Sequence, residues 1–245
     1  MYHYQSIKSE LNTPQLRLLA DRFEALESPR DLAVLLKKDE SALYKLAESP
    51  EYHEFHIPKP GGERRFIQNP APNLKALQSD INRYMQASYH FIRPASAHGF
   101  LVSPQDESQP RNIYTNALTH TRGHWFLNID LSNFFHTVTT SHVNAVFQHT
   151  FGFSNATAKL LTQLCCFKGR LPMGAPSSPV VSNWVFYFLD RLFEGLAHER
   201  EGVYTRYADD LTFSFPRPPD DLFLDLLRCE LLKNPAYSLK KGYGG

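Results

Sequence analysis

The chain has 245 residues, 42% of them hydrophobic, with 17 prolines and 12 glycines. This composition suits one large domain or two closely packed ones and excludes a wholly disordered chain. The net charge is only +1, so any nucleic-acid partner must be held by a local basic surface. Three cysteines cannot form a disulfide framework and lack the paired spacing of a zinc site. We therefore expect a cytoplasmic protein with neither a signal peptide nor a membrane span.

The N-terminal part of the chain predicts a helical region over residues 1–50. Leucines and Phe23 recur there at helical spacing, and Ser28-Pro29 followed by Asp31 is typical of a capped helix start. Two short apolar runs around Pro60-Gly61-Gly62 then predict a β-hairpin with a basic tip. A further amphipathic helix is predicted over 73–87.

Residues 93–123 are rich in Pro, Ser, Asn and Gln and predict mostly loop. From His124 the residues alternate between two faces, which predicts a strand that ends at Asp130. Helices are then predicted at 141–151, 154–166 and 179–197.

Residues 203–215 predict a second β-hairpin, with Asp209 and Asp210 at its turn. An isolated Asp-Asp pair is more often an ordinary polar turn. Strands that end in carboxylates can nevertheless lie side by side, and such oxygen ligands suit Mg²⁺. The surrounding sequence has to decide between these two interpretations.

Three motifs in order resemble the palm of reverse transcriptases: residues 128–135 resemble motif A, 171–179 motif B and 207–210 motif C. Residues 57–67 resemble the fingers hairpin of that family, and 97–100 the segment that follows it. The resemblance implies an α+β protein with the right-hand fold, in which an antiparallel palm sheet packs on helices. It divides the chain into an N-terminal helical region (1–50), fingers (51–123) and a palm (124–245), with the thumb expected to be missing.

Asn116-Ala117-Leu118-Thr119-His120 matches the Asn-Ala-x-x-His signature of retron reverse transcriptases, which copy part of their own structured noncoding RNA. The resemblance implies that Asn116 and His120 bind RNA. On the residues alone, a loop asparagine and a surface histidine remain an open alternative.

The resemblance also implies the catalytic residues. Asp130, Asp209 and Asp210 match the family's three carboxylates, which would hold Mg²⁺ together with the backbone carbonyl of Leu131. Phe135 matches the aromatic gate beneath the sugar of the incoming nucleotide, where a ring leaves no space for a 2′-hydroxyl. An ordinary core phenylalanine is the alternative for Phe135.

Nucleotide-binding residues are implied in two further places. Lys59, Arg64 and Arg65 lie where fingers residues grip the triphosphate, although a solvated hairpin would carry the same charges. Met173 occupies a position where the family often has glutamine, and Gly174 keeps the backbone small beside the nucleotide.

The implied function is an RNA-directed DNA polymerase of retron type. Its expected partners are a structured noncoding RNA, deoxynucleoside triphosphates, the RNA–DNA hybrid product and an effector protein in defence against phage, with no membrane. One alternative is a non-retron defence or group II intron-type reverse transcriptase. Another is a polymerase-like RNA-binding scaffold that does not synthesise DNA, which the missing thumb favours and the intact carboxylates oppose.

Overall fold

A computed structural model describes residues 7–58, 62–233 and 238–239. The helices are α1 (Thr13–Glu24), α2 (Pro29–Leu35), α3 (Glu40–Glu48), α4 (Pro72–Ile92), α5 (Ile113–Thr119), α6 (Phe134–Thr137), α7 (Thr140–Ala145), α8 (Asn155–Cys165), α9 (Ser178–His198) and α10 (Asp221–Lys233). The strands are β1 (Ile7–Lys8), β2 (Tyr52–Pro58), β3 (Arg64–Pro70), β4 (Val102–Ser103), β5 (Trp125–Ser132), β6 (Val203–Tyr207), β7 (Asp210–Phe215) and β8 (Ser238–Leu239).

Two compact units can be distinguished by their internal contacts. Unit 1 draws on the described residues within 1–13, 90–137 and 186–245, and unit 2 on those within 14–89 and 138–185. Both units are therefore discontinuous in sequence. The predicted division into helical region, fingers and palm stays a prediction.

Unit 1 contains a sheet with strand order β6-β7-β5-β8, in which every neighbouring pair is antiparallel. Its core lies where α9 and α10 cover this sheet. Phe213 of β7 lies 5.9 Å from Phe193 of α9 and 5.4 Å from Phe223 of α10, measured between ring centroids. Such edge-to-face ring pairs add about 0.5–1.5 kcal/mol each beyond the burial of their area. The sheet that carries the candidate site is thus fixed on one face.

Unit 2 contains the hairpin predicted around Pro60-Gly61-Gly62, and its two strands are confirmed as the antiparallel pair β2 and β3, whereas residues 59–61 of its turn lie outside the described residues. Its helix α2 begins as the sequence predicts: the Ser28 hydroxyl accepts a hydrogen bond from Asp31 N, and the Asp31 carboxylate accepts one from Ser28 N. Pro29 occupies the first turn, where it loses no hydrogen bond. Phe23 of α1 packs edge-on against Phe153, with ring centroids 5.4 Å apart.

One prediction about unit 1 is wrong in part, and another omits two short elements. The strand predicted to end at Asp130 continues to Ser132, because β8 pairs with Leu131 and Ser132 from more than 100 positions away. The predicted loop over 93–123 contains the helix α5 and the short strand β4. No residue of α5 is buried, so the helix shows no apolar periodicity, and the Asn112 side chain caps its first turn instead.

The helix predicted at 141–151 is irregular, since α7 passes into a π-helical turn over Val146–Thr150. The other two predicted helices agree with α8 and α9 within a residue or so at each end. Of the described helices, none is both long and apolar enough to cross a membrane.

Candidate active site

The three predicted carboxylates belong to one turn and the strand beside it, all in unit 1. Asp130 on β5 lies directly opposite Asp210 on β7 in the antiparallel register. Residues opposite each other in such a pair have Cβ atoms about 4.5–5.5 Å apart on one face of the sheet. Asp130 is half-buried and Asp210 is exposed. The register therefore brings together two carboxylates that are 80 positions apart in the chain.

Asp209 lies in the two-residue turn that joins β6 to β7. Tyr207 pairs with Asp210, so Ala208 and Asp209 are the central turn residues. Ala208 has a φ of 59°, as expected at the first central position of a type II′ hairpin turn, where glycine is usual. The backbone carbonyl of Asp209 accepts a hydrogen bond of 3.0 Å from Leu131 N, which ties the turn to β5.

A buried ion pair is hydrogen-bonded to the backbone of this turn. The Arg206 guanidinium donates to both carboxylate oxygens of Asp190, at 2.9 and 2.7 Å, and both side chains are fully buried. A third donor, Nη1, reaches the carbonyl oxygen of Ala208 at 3.0 Å. Arg206 thus connects helix α9 directly to the backbone of the carboxylate turn.

Asp190 and Arg206 each have a further partner besides one another. The Tyr204 hydroxyl donates to Asp190 Oδ1 at 2.8 Å, and burial together with the Asp190 charge raises the pKa of Tyr204 well above its usual value. The hydroxyl therefore remains a donor at every physiological pH. The Arg206 guanidinium also lies 4.7 Å from the ring centroid of Phe186. A buried ion pair is tolerated only when the hydrogen-bonding groups of both side chains have partners.

Residues 96–100 run alongside β6 and hold the same turn; we call them the 96–100 segment. Arg206 N donates to Ser96 O and His98 N donates to Arg206 O, both at 2.9 Å. Gly99 then approaches the turn so closely that a Cβ placed on it would lie 2.3 Å from Ala208 N. Only glycine fits this position without a backbone shift.

His120 of the Asn-Ala-x-x-His motif is buried against the same sheet. Its Nδ1 lies 2.7 Å from the Ser214 hydroxyl and its Nε2 lies 2.7 Å from the Thr205 hydroxyl. Burial lowers the pKa of His120, so a neutral ring joins β6 to β7. Asn116 lies half-buried on α5. RNA binding by Asn116 and His120 stays a prediction.

The predicted nucleotide-binding residues are distributed over both units. Phe135 belongs to unit 1, where it lies on α6 just after β5 and is half-buried against the core. Arg64 and Arg65 belong to unit 2 and are exposed on β3. Lys59 lies outside the described residues. The nucleotide-binding role of these residues stays a prediction.

Met173 and Gly174 also lie in unit 2, next to the hairpin. The carbonyl of Met173 accepts a hydrogen bond of 2.8 Å from Gln68 N on β3. Gly174 has a φ of 124°, and a Cβ there would lie 3.1 Å from Gln68 O. The backbone conformation favours glycine at this position, and an added Cβ would also require its neighbours to shift by a few tenths of an ångström.

The donor chemistry of the three aspartates fits Mg²⁺. Within residues 7–58, 62–233 and 238–239, no group of three or more His, Cys, Asp or Glu side chains is close enough together to hold a metal ion. Magnesium in nucleotide-processing sites is held by one or two carboxylates plus substrate phosphates, and the Asp130–Asp210 pair supplies two such carboxylates. The identity of the metal stays a proposal.

Sequence reasoning missed Asp190 and Arg206. The available signal was an acidic residue in the middle of helix α9, directly after the apolar run 184–189, because such a residue needs a buried partner. Nothing in the local sequence identified Arg206 as that partner.

The α+β fold has an antiparallel sheet on helices, with two carboxylates at a turn and a third on the neighbouring strand. The chain belongs to the reverse transcriptase (RNA-dependent DNA polymerase) family, whose model matches residues 57–232. The predicted fold class and family are both confirmed.

Curated relatives include several retron reverse transcriptases. The chain is 37% identical over 165 residues to Retron Ec86 reverse transcriptase of Escherichia coli, covering 66% of this chain and 48% of that protein. It is 32% identical over 217 residues to Retron Mx162 reverse transcriptase of Myxococcus xanthus, covering 80% and 42%. The chain thus spans about half the length of these relatives.

A solved structure of telomerase from Candida albicans, in complex with a fragment of telomeric RNA, resembles this fold with a TM-score of 0.53. The match covers 80% of this chain and 43% of that one, at 10% sequence identity. At this identity the likeness concerns the fold alone.

Proposed function

We propose that the chain is an RNA-directed DNA polymerase of retron type. The observation that carries the proposal is the β5–β7 register, which sets Asp130 against Asp210 beside the turn that holds Asp209. The reaction is attack of a primer hydroxyl on the α-phosphate of a deoxynucleoside triphosphate, with release of pyrophosphate. Family membership over residues 57–232 supports the same activity.

Asp130, Asp209 and Asp210, with the Leu131 carbonyl, would hold Mg²⁺. Two bound Mg²⁺ ions would stabilise the charge on the attacking and leaving oxygens of this displacement. The protein's own contribution is to hold the carboxylates in place. The turn is hydrogen-bonded to Leu131 N on one side and to Arg206 on the other, so little reorganisation is needed when the substrate binds.

The residues proposed to bind the nucleotide have separate tasks. Lys59, Arg64 and Arg65 would donate hydrogen bonds to the triphosphate, where cationic donors neutralise the charge on the phosphoryl oxygens. Met173 and Gly174 would lie along the nucleotide and its template base. Phe135 would exclude the 2′-hydroxyl of a ribonucleotide.

We propose a structured noncoding RNA as the template, because the curated relatives are retron reverse transcriptases. By the same likeness, the product would be a branched, RNA-linked single-stranded DNA. The enzyme would act together with an effector protein in anti-phage defence. Asn116 and His120 would contribute to RNA recognition. Sequencing the nucleic acid that copurifies with the protein tests this, and recovery of unlinked, random RNA alone would contradict it.

The activity itself is tested by Mg²⁺-dependent incorporation of deoxynucleotides on a primed RNA template. We expect Asp209→Asn to reduce incorporation at least 10³-fold, comparable to the loss of an essential catalytic group. Asp225 is an exposed carboxylate on α10. Asp225→Asn is therefore the matched control and should retain the full rate. Equal rates for Asp209→Asn and the unmodified chain, or no incorporation by the folded unmodified chain, would contradict the proposal.

A further inference from the structure

We propose that Phe100 is a specificity-positioning residue, which holds the Phe135 ring in place and so helps the enzyme to choose deoxynucleotides over ribonucleotides. The inference rests on the proposed polymerase function and on the proposed role of Phe135. Phe100 belongs to the 96–100 segment. Phe100 acts through Phe135.

The Phe135 ring is partly exposed, so a substrate could contact it. The ring then needs support from its neighbours to keep its position. It is half-buried on the short helix α6, directly after the strand that carries Asp130. A steric gate discriminates only if the ring cannot move aside when a 2′-hydroxyl presses on it. Discrimination is therefore set by whatever packs against the ring as well as by the ring itself.

Among the residues that the structure describes, two aromatic rings pack against Phe135. Phe134 lies 5.6 Å away between centroids and is itself buried against Phe186 of the core. Phe100 lies 5.7 Å away with an angle of 36° between the ring planes. Phe134 is the neighbouring residue on the same helix, so Phe100 is the supporting ring that comes from a different part of the chain.

The position of Phe100 is determined by its backbone. Its φ is 58°, a left-handed conformation that is unfavourable for a bulky side chain and persists only where the surroundings impose it. Those surroundings are the His98 N to Arg206 O hydrogen bond and the close approach of Gly99 to Ala208. The 96–100 segment therefore couples the carboxylate turn to the Phe135 ring.

This arrangement has a functional consequence. A ring that is supported from the carboxylate turn keeps a fixed distance between the place where the sugar would lie and the place where the phosphate would react. Removing the Phe100 ring leaves the Phe135 ring free to adopt other rotamers. Ribonucleotides then become better substrates, whereas deoxynucleotides, which do not press on the ring, are affected less.

The test is the ratio of catalytic efficiencies for a ribonucleotide and the matching deoxynucleotide. We expect Phe100→Leu to raise this ratio about two- to tenfold, the range that corresponds to an aromatic pair. Phe100→Tyr keeps the ring and should keep the original ratio. Phe188→Leu, which alters a phenylalanine that is 67% exposed on α9, is the matched control and should also leave the ratio unchanged.

The double variant Phe100→Leu/Phe135→Ala separates this inference from the proposals beneath it. If Phe100 acts through Phe135, the double variant has the same ratio as Phe135→Ala alone. An unchanged ratio in Phe135→Ala overturns the gate assignment itself. A raised ratio in Phe135→Ala together with an unchanged ratio in Phe100→Leu overturns the inference about Phe100 only. Absence of incorporation in the folded unmodified chain contradicts the polymerase function.

Discussion

Substitution of Gly99 by alanine tests whether the 96–100 segment holds the carboxylate turn. The added Cβ would lie 2.3 Å from Ala208 N and 3.0 Å from Tyr207 C. Ordinary carbon contacts are about 3.5–4.0 Å, so the backbone of the turn or of the segment must move by roughly 1 Å. Both neighbours are main-chain atoms, and no side-chain rotation can relieve the overlap.

Two effects of different size follow from this shift. Overpacking of a well-packed site costs about 1–3 kcal/mol of folding stability, which leaves most domains folded at 25 °C. A displacement of about 1 Å in catalytic groups costs roughly 10²-fold in rate. We therefore expect Gly99→Ala to remain folded and to lose about a hundredfold in the rate of single-nucleotide incorporation.

Gly195→Ala is the matched control, since a Cβ at this α9 position meets nothing within 4 Å. It should keep the rate and gain up to about 1 kcal/mol of stability from helix propensity. Urea unfolding measures the stability, and single-turnover incorporation measures the rate. A folded Gly99→Ala protein with an unchanged incorporation rate would refute the argument that this segment positions the turn.

Further predictions concern the buried groups around the same turn. Arg206→Met leaves Asp190 buried without its charge partner, which should cost about 3–5 kcal/mol in urea unfolding. Asp190→Leu/Arg206→Met should recover most of that stability while incorporation stays low, because the bond to Ala208 is lost; a double variant with the original rate would contradict this. Burial lowers the pKa of His98 to about 4, so the folded state keeps His98 neutral while the unfolded chain binds a proton below about pH 6.5. Its contribution, about 3 kcal/mol, is present in full above pH 6.5 and is lost as the pH falls towards 4. His98→Gln should therefore show a smaller fall in unfolding free energy between pH 7 and pH 4.5, and an identical fall would exclude this role.

The sequence predicts the hairpin of the candidate site more completely than the elements around it. The hairpin of β6 and β7 could be predicted because apolar and polar residues alternate along β7, directly after a short turn. The end of β5 could not, since its last two residues pair with β8, and that pairing depends on a segment more than 100 positions away. Helix α5 was missed for the opposite reason: it buries nothing, and so leaves no periodic signal.

The candidate site divides in the same way. Asp130, Asp209 and Asp210 could be predicted because the motifs that contain them can be recognised in the sequence. The ion pair of Arg206 with Asp190 is a contact between a strand and a helix, and local patterns do not identify which residues meet across a core. His120 could be recognised from its motif, whereas its two hydroxyl partners on β6 and β7 could not.

The central claim is that Asp130, Asp209 and Asp210 act as one catalytic unit, which variants of Asp130 and Asp209 can test. The most direct measurement is the rate of a single deoxynucleotide addition on an RNA template by the unmodified chain, Asp130→Asn, Asp209→Asn and the variant that combines both. Groups that act together lose nearly all activity when either is removed. We predict that each single variant falls at least 10³-fold and that the combined variant falls no further. Losses that multiply in the combined variant, or single variants that retain the original rate, would contradict the claim.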